Sequence, residues 1–148
     1  MTLIFKYKPI ERPDGRTVKS PSILVTLVGG GIHYGVVGLL DSGADVSVIP
    51  KDLADLLGLD LHDKPIDQSR GIGGRVRSIR TSMHVIVEAK RAHERFQLTI
   101  PVNVILDGEA PPLLLGRAGF FENFVITFDE SNQRITLKKN TVFQRKAA

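Results

Sequence analysis

One acidic residue of this chain stands where it could take part in acid–base chemistry. Asp41 directly follows an apolar segment, residues 36–40, and Ser42 and Gly43 come next. Gly43 has no Cβ, so the backbone can come close to the acid, and the Gly43 N–H and the Ser42 hydroxyl can then hold the carboxylate by hydrogen bonds. An enzyme needs such a fixed carboxylate when one acid must stay in place while its proton moves.

No other acid in the chain has this context. The sequence contains no second Asp-Ser-Gly and no Asp-Thr-Gly. Asp14 and Asp107 also precede a glycine, but both lack the hydroxyl residue and the apolar strand before it. A mechanism that needs two carboxylates close together would therefore take the second one from another copy of the chain.

A glycine-rich segment follows the Asp41 motif along the chain. Residues 69–76 contain Gly71, Gly73 and Gly74, which predict a mobile turn because glycine tolerates positive φ. A phosphate-binding loop is a competing interpretation, since such turns expose backbone N–H groups. No Gly-Lys-Ser/Thr follows, however, and residues 76–87 have a strand pattern. An ordinary hairpin loop is the other alternative.

A third segment lies nearer the C-terminus. Residues 113–115 form a short apolar run suited to a buried strand, and Gly116 and Arg117 follow. Gly116 would permit close backbone packing behind the Asp41 loop.

In this order and spacing, the three segments resemble the retropepsin-like aspartic proteases, single-domain relatives of pepsin in which two identical chains each supply one Asp-Ser-Gly or Asp-Thr-Gly. The resemblance covers about residues 22–138 and implies an aspartic endopeptidase that works as a homodimer on a peptide or protein substrate. It implies catalytic roles for Asp41, Ser42 and Gly43, substrate contacts from Ala44, Asp45, Ile72, Gly73 and Gly74 (the last three in a flap), and structural support from Gly116 and Arg117. Arg117 is expected to pair with Asp45.

Two other functions remain open. A retropepsin-like domain could bind a peptide or protein without cutting it. Alternatively, four arginines around residues 70–80 could contact nucleic acid, although no aromatic residues alternate with them, so we expect no nucleic-acid partner. The same arginines could attract acidic peptides, or could simply face solvent on a charged hairpin.

The periodicity along the chain predicts a mainly β domain, a small closed barrel with one or two short helices. The expected domain is a single unit with a core at about 22–138, an N-terminal extension at 1–21 and a polar tail at 139–148. The expected elements are strands over 3–10, 23–28, 33–40, 82–88 and 95–104, a glycine turn at 29–31, a helix over 50–58, and a hairpin of 124–128 with 134–137.

The composition fits one globular domain. The chain has 148 residues, of which 42% are hydrophobic and 24% charged, with a formal net charge of +4. The absence of cysteine excludes disulfides and thiolate metal sites, and the four histidines have no partner at ligand spacing, so we expect no metal and no cofactor. No apolar stretch could span a membrane and the N-terminus does not resemble a signal peptide, so a cytoplasmic protein without a membrane partner is expected.

Overall fold

The computed structural model describes residues 2–71, 74–89 and 93–142. In this part of the chain the strands are β1 (Thr2–Lys6), β2 (Lys8–Glu11), β3 (Thr17–Ser20), β4 (Ser22–Gly29), β5 (Ile32–Leu40), β6 (Ser47–Pro50), β7 (Ile66–Gly71), β8 (Gly74–Ala89), β9 (Glu94–Ile105), β10 (Leu113–Leu115), β11 (Phe124–Asp129) and β12 (Arg134–Lys139). An α-helix, α1 (Lys51–Leu56), and a 3₁₀-helix (Phe121–Asn123) complete the described elements. The predicted mainly β class with one or two short helices is confirmed.

The main sheet has the strand order β4-β5-β10-β6-β9-β8-β7. The alternating apolar residues of the sequence point into its core, because every second residue of a strand lies on the same face. In β9 this buried series is Leu98, Ile100, Val102 and Val104. In addition, β4 pairs with β8, so the hydrogen-bonded order returns from β8 to the strand with which it began. A closed barrel stays a prediction.

The short strand β10 lies between two strands that are consecutive along the chain. It pairs in parallel with the end of β5 and antiparallel with β6. The loop that joins β5 to β6, residues 41–46, must therefore pass over the end of β10. This insertion brings residues 113–117 against the Asp41 motif, although the two segments are far apart in sequence.

A second, three-stranded sheet has the order β1-β12-β11. The predicted hairpin of 124–128 with 134–137 is confirmed as β11 and β12. Its buried side chains join the main core through an aromatic cluster, in which the ring of Phe124 lies 5.3 Å from that of Phe120 and 5.7 Å from that of Phe96. Such edge-on and tilted contacts are favourable for aromatic pairs.

The prediction of one strand over residues 3–10 was wrong. The structure breaks it at Tyr7 into β1, which pairs with β12, and β2, which pairs with β3. The break follows from tertiary contacts of Tyr7, whose ring is buried, whose N–H donates to the Gln133 carbonyl at 2.9 Å, and whose hydroxyl donates to Glu130 at 2.9 Å. A local pattern cannot show contacts with residues so distant in sequence.

The predicted helix and the predicted glycine turn at 29–31 are present. The helix α1 begins after Pro50, and the chain leaves it at Gly58, which has a φ of +63°. Gly30 and Gly31, both with positive φ, connect β4 to β5. Strands β7 and β8 form an antiparallel hairpin in register from Ile66–Ile79 to Gly71–Gly74. No helix in the described residues is long and apolar enough to cross a membrane.

Candidate active site

Asp41 lies on a loop at the end of β5, and the end of β10 holds its backbone. The Asp41 N–H donates to the Leu115 carbonyl at 3.0 Å, and the Ala44 N–H donates to the Asp41 carbonyl at 3.2 Å. The side chain is also held, because the Gly43 N–H donates to Oδ1 of Asp41 at 2.9 Å. A Cβ at Gly43 would stand only 3.2 Å from that oxygen. A side chain at this position would crowd the carboxylate, which would have to shift by a few tenths of an ångström.

Gly116 packs directly beneath this loop. A Cβ on Gly116 would lie 2.6 Å from the carbonyl carbon of Val46 and 2.9 Å from the backbone nitrogen of Ser47, distances that no real side chain tolerates. The Gly116 N–H donates to the hydroxyl of Ser47 at 2.9 Å, and both residues are buried. The sequence analysis missed Ser47, because a single serine in a strand gives no signal of a buried bond to a residue far along the chain.

Arg117 and Ala118 hold the second half of the loop. The Arg117 N–H donates to the Ala44 carbonyl, and the Ala118 N–H donates to the Asp45 carbonyl, both at 2.9 Å. The structure also contains the expected ion pair between the Arg117 guanidinium and the Asp45 carboxylate. Their side chains are 55% and 84% exposed, so the pair orients the loop but adds little to stability.

The other two acids that precede a glycine are engaged with arginines. Asp107 receives two hydrogen bonds from the Arg77 guanidinium, both at 2.8 Å, and Asp14 receives one from Arg16 at 2.7 Å. These hydrogen bonds hold the pKa of each carboxyl below its usual range. At both positions the positive charge stabilises the ionised carboxylate. Neither acid is therefore well suited to carry a proton during catalysis.

The remaining predicted site residues are placed as follows. The side chain of Ser42 is exposed, and no hydrogen bond joins its hydroxyl to the described residues. Gly74 begins β8 opposite Gly71, with a φ of +117°. Ile72 and Gly73, the tip of the predicted flap, lie outside the described residues. The structure thus brings Asp41, Gly43, Ala44, Asp45, Gly116 and Arg117 together.

Within residues 2–71, 74–89 and 93–142 no three His, Asp or Glu side chains converge as a metal site would require. The local chemistry is that of a carboxylate held by one main-chain donor, the Gly43 N–H, on an exposed loop. Such a group can take up a proton from a molecule that lies against the loop, or deliver one to it.

A family model described as aspartyl protease matches residues 25–118, a span that includes the Asp41 loop, the hairpin and the Gly116–Arg117 segment. The chain belongs to the aspartyl protease family. The predicted resemblance is thereby confirmed. A comparison of this chain with curated proteins found no match.

Similar solved structures include three proteases or protease-like domains, and the likeness to the first of them shows the fold. The retropepsin-like aspartic protease from Rickettsia conorii is 19% identical, with a TM-score of 0.57 over 93% of this chain and 92% of that one. The retroviral protease-like domain of Ddi1 from Leishmania major is 19% identical, with a TM-score of 0.47 over 81% of this chain and 90% of that one. The EIAV protease, solved in complex with the inhibitor HBY-793, is 24% identical, with a TM-score of 0.41 over 67% and 83%.

Proposed function

We propose that this chain is an aspartic endopeptidase whose catalytic pair consists of Asp41 from two copies. The proposal rests on one observation: the Asp41 carboxylate accepts a hydrogen bond from the Gly43 N–H on an exposed loop, whereas Asp14 and Asp107 are engaged with arginines. Family membership supports peptide hydrolysis as the chemistry. The two-fold arrangement supplies the second carboxylate, which the described loop of one chain lacks.

Two carboxylates close together cannot both ionise easily, so one keeps a proton while the other stays charged. The charged carboxylate takes a proton from a water molecule, whose oxygen attacks the peptide carbonyl carbon. The protonated carboxyl gives its proton to the carbonyl oxygen. The tetrahedral diol then collapses: the carboxyl that took the proton from water gives it to the amide nitrogen, and the other carboxylate takes a proton from a diol hydroxyl. The C–N bond breaks, the free amine leaves, and the pair again holds one proton. The pair titrates as one unit.

The neighbouring residues have positioning roles in this proposal. The Gly43 N–H keeps the Asp41 carboxylate in one orientation. The exposed Ser42 hydroxyl is available to the same loop of the second copy. Ala44 and Asp45 would contact the substrate backbone, and the hairpin of β7 and β8, with Ile72, Gly73 and Gly74 at its tip, would close over the substrate.

The test is cleavage of an unstructured protein such as casein between pH 4 and 7 at several enzyme concentrations. Wild type is compared with Asp41→Asn, and Asp14→Asn and Asp107→Asn are matched controls. We expect Asp41→Asn to lose cleavage, since an amide can neither donate nor accept the catalytic proton, and the controls to keep it within about twofold.

Wild-type activity should also rise faster than linearly with concentration while dimers assemble. Undiminished turnover in folded Asp41→Asn would contradict the proposal. No cleavage by wild type, together with tight binding of a peptide, would favour a binding module instead.

A further inference from the structure

The hairpin of β2 and β3, residues 8–20, is a separate two-stranded sheet on the main body. Two hydrogen bonds close its loop. The Arg12 N–H donates to the Arg16 carbonyl at 2.7 Å, and the Gly15 N–H donates to the Arg12 carbonyl at 2.9 Å. Every residue from 11 to 19 is exposed. A hairpin of two short strands is marginally stable in water and needs packing on one face. The single chain supplies little such packing here.

The base of this hairpin is fixed beside the candidate active site. The Leu40 N–H, one residue before Asp41, donates to the Pro21 carbonyl at 2.9 Å. The buried Ser22 hydroxyl donates to the Lys8 carbonyl, also at 2.9 Å. The hairpin is therefore rooted at the same end of the main sheet as the Asp41 loop.

One face of the hairpin carries an apolar pair, Ile10 and Val18, that is only partly covered. Ile10 and Val18 are opposite each other in register, so their side chains share a face. Ser20 lies on the same face nearer the base and is buried, which shows that this face turns toward the body of the protein. Val18 is nevertheless 41% exposed, and it lines an open cleft with residues 12–14 and Arg16.

We infer that the Ile10–Val18 face docks against a second copy of this chain and so stabilises the dimer. The inference rests on the proposed function. Two Asp41 loops can meet only if the two main sheets face each other with the ends that carry these loops, and the hairpins extend from the same ends. A partner at that end would lie next to the hairpin. Removing Ile10 and Val18 from water would contribute affinity in proportion to the apolar area covered.

The experiment compares the dimer dissociation constant of three proteins by sedimentation equilibrium. The test variant is Ile10→Thr/Val18→Thr, because threonine is β-branched and preserves strand propensity while it removes apolar surface. The control variant is Glu11→Thr/Lys19→Thr, which places the same residues on the opposite, exposed face and also leaves the net charge unchanged. Circular dichroism establishes that all three are folded.

We expect the dissociation constant to rise about tenfold or more in the test variant and to change less than about twofold in the control. An unchanged constant in the test variant, or a wild-type protein that is monomeric at all concentrations, would overturn the inference. A higher KM at an unchanged dissociation constant would also overturn it, because the face would then contact substrate. Sedimentation requires no cleavage, so a failure of the proposed chemistry is separable from a failure of this inference.

Discussion

At the scale of single residues, the candidate site depends on how closely the main chain approaches one carboxylate. Gly43 donates its N–H to Asp41 Oδ1 at 2.9 Å, and the Asp41 N–H is bonded to Leu115. Gly116 fits beneath the same loop only because it has no side chain. Such fixed geometry matters for catalysis, since small displacements of a reacting group can cost much of the rate.

Gly43→Ala tests this geometry. A Cβ there would stand 3.2 Å from Asp41 Oδ1, closer than an ordinary contact, so the carboxylate must shift by a few tenths of an ångström. We expect kcat for peptide cleavage to fall about tenfold or more, with the folded structure kept. The effect is measured by steady-state kinetics at saturating substrate, with the enzyme at a concentration where it is dimeric.

Gly35→Ala is the matched control for this experiment. It lies in the same strand, β5, that precedes the motif, and its Cβ would meet Leu24 Cδ1 at an ordinary 3.8 Å. Its kcat should stay within about twofold of wild type. Equal losses of kcat in the two variants would show that the loss does not come from crowding of the Asp41 carboxylate.

At the scale of elements, the sequence predicted those strands and turns that depend on the local pattern of apolar residues and glycines. The alternating apolar residues 98–104 predicted β9, and Gly30 and Gly31 predicted the turn between β4 and β5. The end of β1 at Tyr7 and the role of Ser47 were not predictable in this way. Both depend on contacts with residues far along the chain, which only the assembled fold brings near.

The contact between Tyr7 and the β11–β12 hairpin makes stability depend on pH. Burial of the ring, and then its hydrogen bond to Glu130, raises the pKa of Tyr7 to about 12 from its ordinary 10.0. A raised pKa means that the neutral phenol is favoured in the folded state. Its contribution is complete below pH 10 and is lost as the pH rises toward 12.

Tyr7→Phe isolates this effect, since it keeps the ring and removes the titrating hydroxyl. We expect wild type to be more stable by about 1 kcal/mol below pH 10, and this advantage to disappear and then reverse as the pH rises from 10 to 12. Urea unfolding of both proteins from pH 8 to 12 provides the measurement. A stability difference that stays constant over this range would contradict the proposed coupling between Tyr7 and folding.

At the scale of the whole molecule, the central proposal is that one chain carries half of an active site. The order of the three motifs, and not any one of them, predicted the family, and the structure explains why order matters. Insertion of β10 between β5 and β6 places Gly116 and Arg117 against the loop of Asp41. How two chains would meet could not be predicted from periodicity, because the apolar repeat of a strand indicates its buried face and not which exposed surface contacts a partner.

The most direct test of a catalytic pair shared between two chains is a subunit-mixing titration. A fixed amount of wild type, at a concentration where it is dimeric, is equilibrated with increasing Asp41→Asn before casein cleavage is measured. If both carboxylates are Asp41, mixed dimers are inactive, and nine equivalents of the variant should reduce cleavage to about one-tenth. The same amount of Asp107→Asn, the matched control, should instead increase cleavage. Cleavage that is unaffected by excess Asp41→Asn would contradict a catalytic pair shared between two chains.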